Sequence, residues 1–189
     1  MILIFGNKST AIEISEHCFS FKFVYYDENW KSGLHNITPH HYIISFTNFD
    51  LREKLLKELE GDDGFRPMSV IGERSYIAKP AIIGRGTFIA PMAVVSSGAQ
   101  IGKHCIIHYG ASIGHDAVLD DNVIVLPGAR VSGNVHIKSR TLIGSNAFIY
   151  QGVKIGSDNV VDALTYIRHD LTDNKISFGR NTKTYERIK

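Results

Sequence analysis

The chain has 189 residues, 43% hydrophobic and 21% charged, and its 21 Lys and Arg nearly balance 19 Asp and Glu. This composition is that of a globular protein and excludes collagen, a disordered tail and a disulfide scaffold, while a formal charge of +2 lacks the basic excess of a nucleic-acid binder. Cys18 and Cys105 read as reduced thiols of a cytoplasmic protein; no apolar run reaches the ~18 residues of a membrane span, and Met1–Phe5 gives way to Gly6-Asn7-Lys8 too early for a signal peptide.

Residues 1–67 read as a small α/β head. Met1–Phe5 is a buried strand that ends at Gly6. Thr10–Cys18 carries helical spacing (Ile12, Ile14, His17), with Ser9 or Thr10 as N-cap. Phe21–Tyr26 and His41–Phe46 are further strands, and Asn48–Glu60 is an amphipathic helix capped at Asn48 and ended by Gly61. The order predicts a Rossmann-like βαβ unit with ligand space at the carboxyl ends of its strands. A strand, a glycine turn, a helix start and an acid about 20 residues on outline a nucleotide site. In it Lys8 and the amides of Ser9 and Thr10 would meet a phosphate and Asp27 a hydroxyl. An ordinary βα turn with a solvated Asp27 is the other reading, since Gly6 is the sole glycine of Gly6-Asn7-Lys8-Ser9-Thr10-Ala11.

From Ile71 to Ile167 every sixth residue is aliphatic, seventeen in succession. Four positions after each comes a residue that is mostly small, as at Ala93, Ala99, Cys105, Ala111 and Ala117, and glycine often follows the aliphatic directly, as at Gly84, Gly114 and Gly144. A period of six fits neither a helix nor an alternating strand. It fits short strands joined by corners, the aliphatic and small residues pointing inward and glycines easing the corners. The expectation is a parallel β-helix over 68–172 and a C-terminal tail over 173–189. Histidines off the inward positions (His104, His108, His115, His136, His169) should point outward. Among them His115 precedes Asp116; a histidine accepts protons near neutral pH, and a carboxylate can fix its tautomer. Neighbouring strand residues face apart, so the pair meets only at a corner, and a solvated surface histidine is the plainer reading.

The hexads Gly114-His115-Asp116, Pro127-Gly128-Ala129 and Ser132-Gly133-Asn134-Val135, with the two-part layout, resemble the hexapeptide-repeat sugar acetyltransferases of bacterial surface-glycan biosynthesis. That family includes the bacillosamine-pathway and perosamine N-acetyltransferases and the sialic-acid O-acetyltransferases. The resemblance implies a left-handed β-helix, a homotrimer, acetyl-CoA as co-substrate and a nucleotide sugar as acceptor. It also implies that His115 is the general base, supported by Asp116, with the Gly133 amide as an oxyanion donor. Acetyl-CoA would run along Gly133, Gly144, Ser145, Asp162 and Ala163, with Ile124 beside its thioester, and the sugar nucleotide would lie on Gly6, Asn7, Lys8, Ser9, Thr10 and Asp27. The departures are specific. A second family histidine near the thioester is Ile124 here, an asparagine seven residues before the catalytic position is His108, and the glycine-rich head turn carries Lys8, Ser9 and Ala11. Near the end, Gly179-Arg180-Asn181-Thr182-Lys183 replaces a Pro-Ala-Lys segment. The rival readings are a sugar O-acetyltransferase, a non-catalytic β-helix scaffold, and a γ-carbonic-anhydrase-like hydrolase using His104, His108 and His115. The last requires convergence of three histidines that fall at different places in their hexads.

Overall fold

In the computed structural model the described residues are 1–6, 8–27, 29–34, 40–179 and 183–186. The head begins with β1 (Ile2–Phe5), α1 (Ser9–Ser15) and β2 (Phe21–Val24), followed by a 3₁₀ turn at Trp30–Gly33. It continues with β3 (His40–Ile44), α2 (Phe49–Glu60) and β4 (Phe65–Pro67). The strands form one parallel sheet in the order β2-β1-β3-β4. Three details differ from the sequence expectation. Lys8, not Ser9 or Thr10, sits at the N-cap of α1, and it makes no side-chain cap. The second strand stops at Val24, and Phe65–Pro67 forms a fourth strand that is not among the expected elements. The cap of α2 is as expected: the Asn48 side chain accepts from the Leu51 amide at 3.0 Å.

The repeats fold as a parallel β-helix. Two-residue strands run from β5 (Val70–Ile71) to β21 (Tyr166–Ile167), and successive strands fall on three faces in turn. Each coil therefore advances 18 residues, pairing Ile71 with Ile89 and Ile106 with Ile124. The core is the expected one: Ile107, Ile113, Val125 and Ile143 with Cys105, Ala111, Ala117 and Ala147, all fully buried. The glycines serve in two ways: Gly86, Gly98, Gly110, Gly128 and Gly152 take left-handed φ at the corners, as expected, and a second set has a different reason. Those directly after the aliphatic are needed because a Cβ at Gly114 or Gly144 would come within 2.4–2.5 Å of the backbone of the next coil. The corner conformation lies two residues later, where Asp116, Asn122, Asn134 and Asn146 take left-handed φ values between 54° and 61°. The expected tail does not simply trail off: β22 (Lys175–Phe178) pairs with Val160–Val161 as one more rung, and β23 (Lys183–Glu186) turns back on it antiparallel.

The head docks on the first face. There the outward residue of each rung is apolar (Val70, Phe88, Ile106 and Ile124), and these pack against Ile2, Ile4 and Ile43 of the sheet and Ala11 and Ile14 of α1. The opposite side of the sheet packs Leu3, Phe5, Tyr42 and Ile44 against Trp30, Leu55 and Leu59. Arg52 of α2 is fully buried and fastens the two parts: Nε donates to Asn122 Oδ1 at 2.5 Å, Nη1 to the Phe46 carbonyl at 2.8 Å, and Nη2 to the His104 carbonyl. Burial without a carboxylate pushes its guanidinium down to about 10. At the rim, Arg140 bridges Asp158 of the β-helix to Asp50 and Glu53 of α2.

Candidate active site

His115 and Asp116 occupy the corner between the strands Ser112–Ile113 and Val118–Leu119. The φ of 56° at Asp116 turns its side chain back along the corner, so the two neighbours meet: His115 Nδ1 and Asp116 Oδ2 are 2.9 Å apart. The carboxylate accepts from Nδ1–H, which leaves Nε2 as the proton acceptor. Both side chains are open to a reactant, 56% and 63% exposed. Glycines of the adjacent coils make the space. A Cβ on Gly133 would fall 2.4 Å from His115 Nε2, and one on Gly98 would fall 2.2 Å from Asp116 Oδ1. The imidazole therefore lies against the Gly133 backbone, one coil on.

Of the other residues expected to line a coenzyme path, Gly144, Ser145, Asp162 and Ala163 share one corner, stacked on successive coils: Asp162 and Ala163 directly overlie Gly144, and the Asp162 carboxylate accepts from the Ala163 amide at 2.7 Å. Gly133 lies on the next corner with His115. Ile124 stands apart from all of these; it is fully buried under the head, among Ile2, Ile4 and Phe88.

A cavity of about 590 Å³ opens between head and β-helix, at the carboxyl ends of β1 and β3. Gly6, Lys8, Ser9 and Thr10 line it, as expected, together with Ser45, Thr47, His108 and Ser145. Gly6 is required there: at φ 127° its missing Cβ leaves room for Ser45 Oγ, which donates to the Phe5 carbonyl at 2.8 Å. Asn7 falls outside the described residues, as do Arg180, Asn181 and Thr182. Asp27 is a correction. It does not line the cavity; its carboxylate accepts from the Asn29 amide at 2.8 Å, while Tyr25 and Tyr26, just before it, are lining residues. Two of the histidines expected to be outward on the β-helix, His104 and His108, do leave the core but are then covered by the head, 4% and 6% exposed. His104 stacks on Tyr42 at 5.9 Å, and burial drives both rings down to about 4. His104, His108 and His115 thus occupy three separate environments and do not converge.

Residues 80–115 and 98–133 match the bacterial transferase hexapeptide (six repeats) model, and 134–168 match the hexapeptide repeat of succinyl-transferase. The β-helix is thus built of transferase hexapeptide repeats and is left-handed, with a small α/β domain at its N-terminus. The acetyltransferase domain of PglB from Neisseria gonorrhoeae superposes with a TM-score of 0.89 over 97% of this chain and 98% of that one, at 22% identity. WeeI from Acinetobacter baumannii gives 0.88 over 98% and 99% at 22% identity. A perosamine N-acetyltransferase variant from Caulobacter crescentus, solved with CoA and GDP-perosamine, gives 0.87 over 97% and 96% at 20% identity. No curated protein matches the chain by sequence.

Proposed function

We propose that the protein is an acetyl-CoA-dependent acetyltransferase that acylates the amine of a nucleotide-linked amino sugar, in the cytoplasm, as a step of bacterial surface-glycan biosynthesis. The observation that carries this reading is the His115–Asp116 pair, closed at 2.9 Å on an exposed corner with Gly133 making room at Nε2. It is supported by the fold shared with the PglB acetyltransferase domain, solved with acetyl coenzyme A, and with the perosamine enzyme, solved with CoA and GDP-perosamine.

In this reading the amine attacks the thioester carbonyl and gives its proton to His115 Nε2. Asp116 holds the imidazolium that forms, a contribution of ~10²–10⁴-fold for a positioned base. The Gly133 amide, beside the ring, stabilises the oxyanion. Collapse breaks the C–S bond, and the imidazolium returns its proton to the departing thiolate, leaving free CoA and the N-acetyl sugar. The sugar nucleotide occupies the head cavity at Gly6, Lys8, Ser9 and Thr10, and the coenzyme follows Gly144, Ser145, Asp162 and Ala163. Ser145 belongs to both, so the two ligands would meet there.

The cavity and His115 lie on adjacent corners of the same coils, and neither His115 nor Asp116 reaches the cavity wall. A homotrimer removes the difficulty, because a second copy would set its own His115 beside this chain's cavity. The test is thiol release from acetyl-CoA against a panel of UDP-, GDP- and dTDP-linked amino sugars. Release dependent on one of these sugars supports the assignment; no release with any member, or equal release with the corresponding hydroxy sugars, overturns the N-acetyl reading.

A further inference from the structure

His108 walls the head cavity with Leu126 and Pro127. Its Nδ1 is buried and makes no hydrogen bond among the described residues, and the same holds for Glu13 Oε2 on α1, 4.0 Å away. Two buried polar atoms of opposite need thus face one another just beyond bonding distance. Such pairs cost stability unless something restores their bonds, so an unsatisfied pair of which one member, His108, lines a cavity points to a ligand there that draws the two together. The surroundings fix the protonation. Burial holds His108 neutral, down at about 4, and raises Glu13, with Glu16 adding to the rise and His17 opposing it. A neutral imidazole has one donor and one acceptor. With Nδ1 turned to Glu13 it is the donor, and Nε2 of this cavity-lining residue is left as the acceptor.

We propose that His108, oriented by Glu13, is a specificity-determining residue of the head cavity: it accepts a hydrogen bond from an N–H or O–H of the acceptor sugar, and the Glu13 contact closes when that sugar binds. The inference rests on the sugar-nucleotide reading above. It gives the binding half of the site a base distinct from His115, one that reads the ligand and takes no proton from it.

The experiment measures binding of UDP-, GDP- and dTDP-linked amino sugars by calorimetry without acetyl-CoA, then KM for the sugar and for acetyl-CoA, in wild type, His108→Leu, His108→Gln and Glu13→Gln. Leucine at 108 should weaken sugar binding about 10–100-fold, as expected for an unmatched donor, and leave the acetyl-CoA KM and the melting temperature within error or higher. Glutamine, which keeps an acceptor, should recover most of the loss. Glu13→Gln should give a smaller loss in the same direction. If the hydroxy analogue binds wild type less tightly than the amino sugar and His108→Leu erases that preference, the donor is the amine; equal losses for both assign it to a hydroxyl. Unchanged sugar binding in His108→Leu, or equal increases in both KM values, overturns the proposal alone. Wild-type protein that binds none of the panel overturns the sugar-nucleotide reading and this proposal together.

Discussion

His115 and Asp116 are chain neighbours, and on a straight strand they would point to opposite faces. The left-handed turn at Asp116 is what lets the carboxylate come round to Nδ1. Space for the ring then depends on one missing methyl group. We expect Gly133→Ala to drive a Cβ against Nε2, displace the imidazole and lower kcat by ~10²-fold or more. Gly133 is not among the residues with positive φ, so its melting temperature should stay within a few degrees of wild type. A loss of activity that tracks unfolding would refute this account of the glycine. The frame of six made His115 legible, because it placed the histidine outside the core and beside an acid. Asp27 lies off the cavity for a reason equally local: an acid at the end of a second strand has two partners to choose from, a ligand or its own backbone two residues on. Here it takes the Asn29 amide. Asp27→Ala is therefore expected to leave the KM for a sugar nucleotide unchanged, and a large increase would restore Asp27 to the site.

At the level of elements, the head is held on the β-helix by an apolar stripe and a buried guanidinium. The stripe was present in the sequence as a second period. The residue just before the core aliphatic is apolar at every third hexad without a break (Val70, Phe88, Ile106, Ile124, Leu142, Val160), whereas on the other two faces the same place mixes apolar residues such as Ile82, Val94 and Val118 with Gln100, Ser112, Arg130, His136 and Lys154. A period of 18 inside the period of six marks the covered face, and it explains why Ile124 is buried rather than lining a coenzyme path. No comparable signal announces Arg52, an arginine in an amphipathic helix being most often solvated. Arg52→Ala leaves the Phe46 and His104 carbonyls and Asn122 Oδ1 without their donor and opens a void. A loss of ~3–5 kcal/mol is expected, read as a lower denaturation midpoint; an unchanged midpoint would mean the head is held by the stripe alone.

The covered histidines give this joint a pH dependence. His104 and His108 have folded values of about 4 against 6.5 for a free ring. Between those limits the unfolded chain binds protons that the folded protein refuses, so stability is full above pH ~6.5 and falls as the pH drops toward ~4. Thermal melts from pH 8 to 4 should be level at the top and decline through this window, with His108→Leu removing part of the slope. A melting temperature that rises on acidification from 6.5 would contradict the burial of both rings as neutral groups.

For the whole molecule, the β-helix acts as a ruler. Each coil advances 18 residues without insertion, so every corner residue stacks over its counterpart on the next coil. The fold class, the core and the His115 corner were legible because a solenoid maps sequence spacing onto space almost linearly. The head cavity was only half legible, since its far wall comes from His108, Leu126, Pro127 and Ser145, residues of another domain and of three coils. The same linearity puts the cavity and His115 on different corners. If a second copy completes the site, two inactive variants should rescue one another: His115→Ala keeps its cavity, and Thr47→Trp, an exposed cavity residue filled by an indole, keeps its base. Refolding the two together should restore a substantial fraction of wild-type activity, and mixtures no more active than either variant would show that both halves must come from one chain.

The most direct measurement is acetyl transfer by His115→Ala, followed as thiol release from acetyl-CoA with the amino-sugar nucleotide that best supports the wild-type reaction. The account predicts loss of transfer with acetyl-CoA binding and oligomeric state retained. Wild-type turnover in that variant would contradict it.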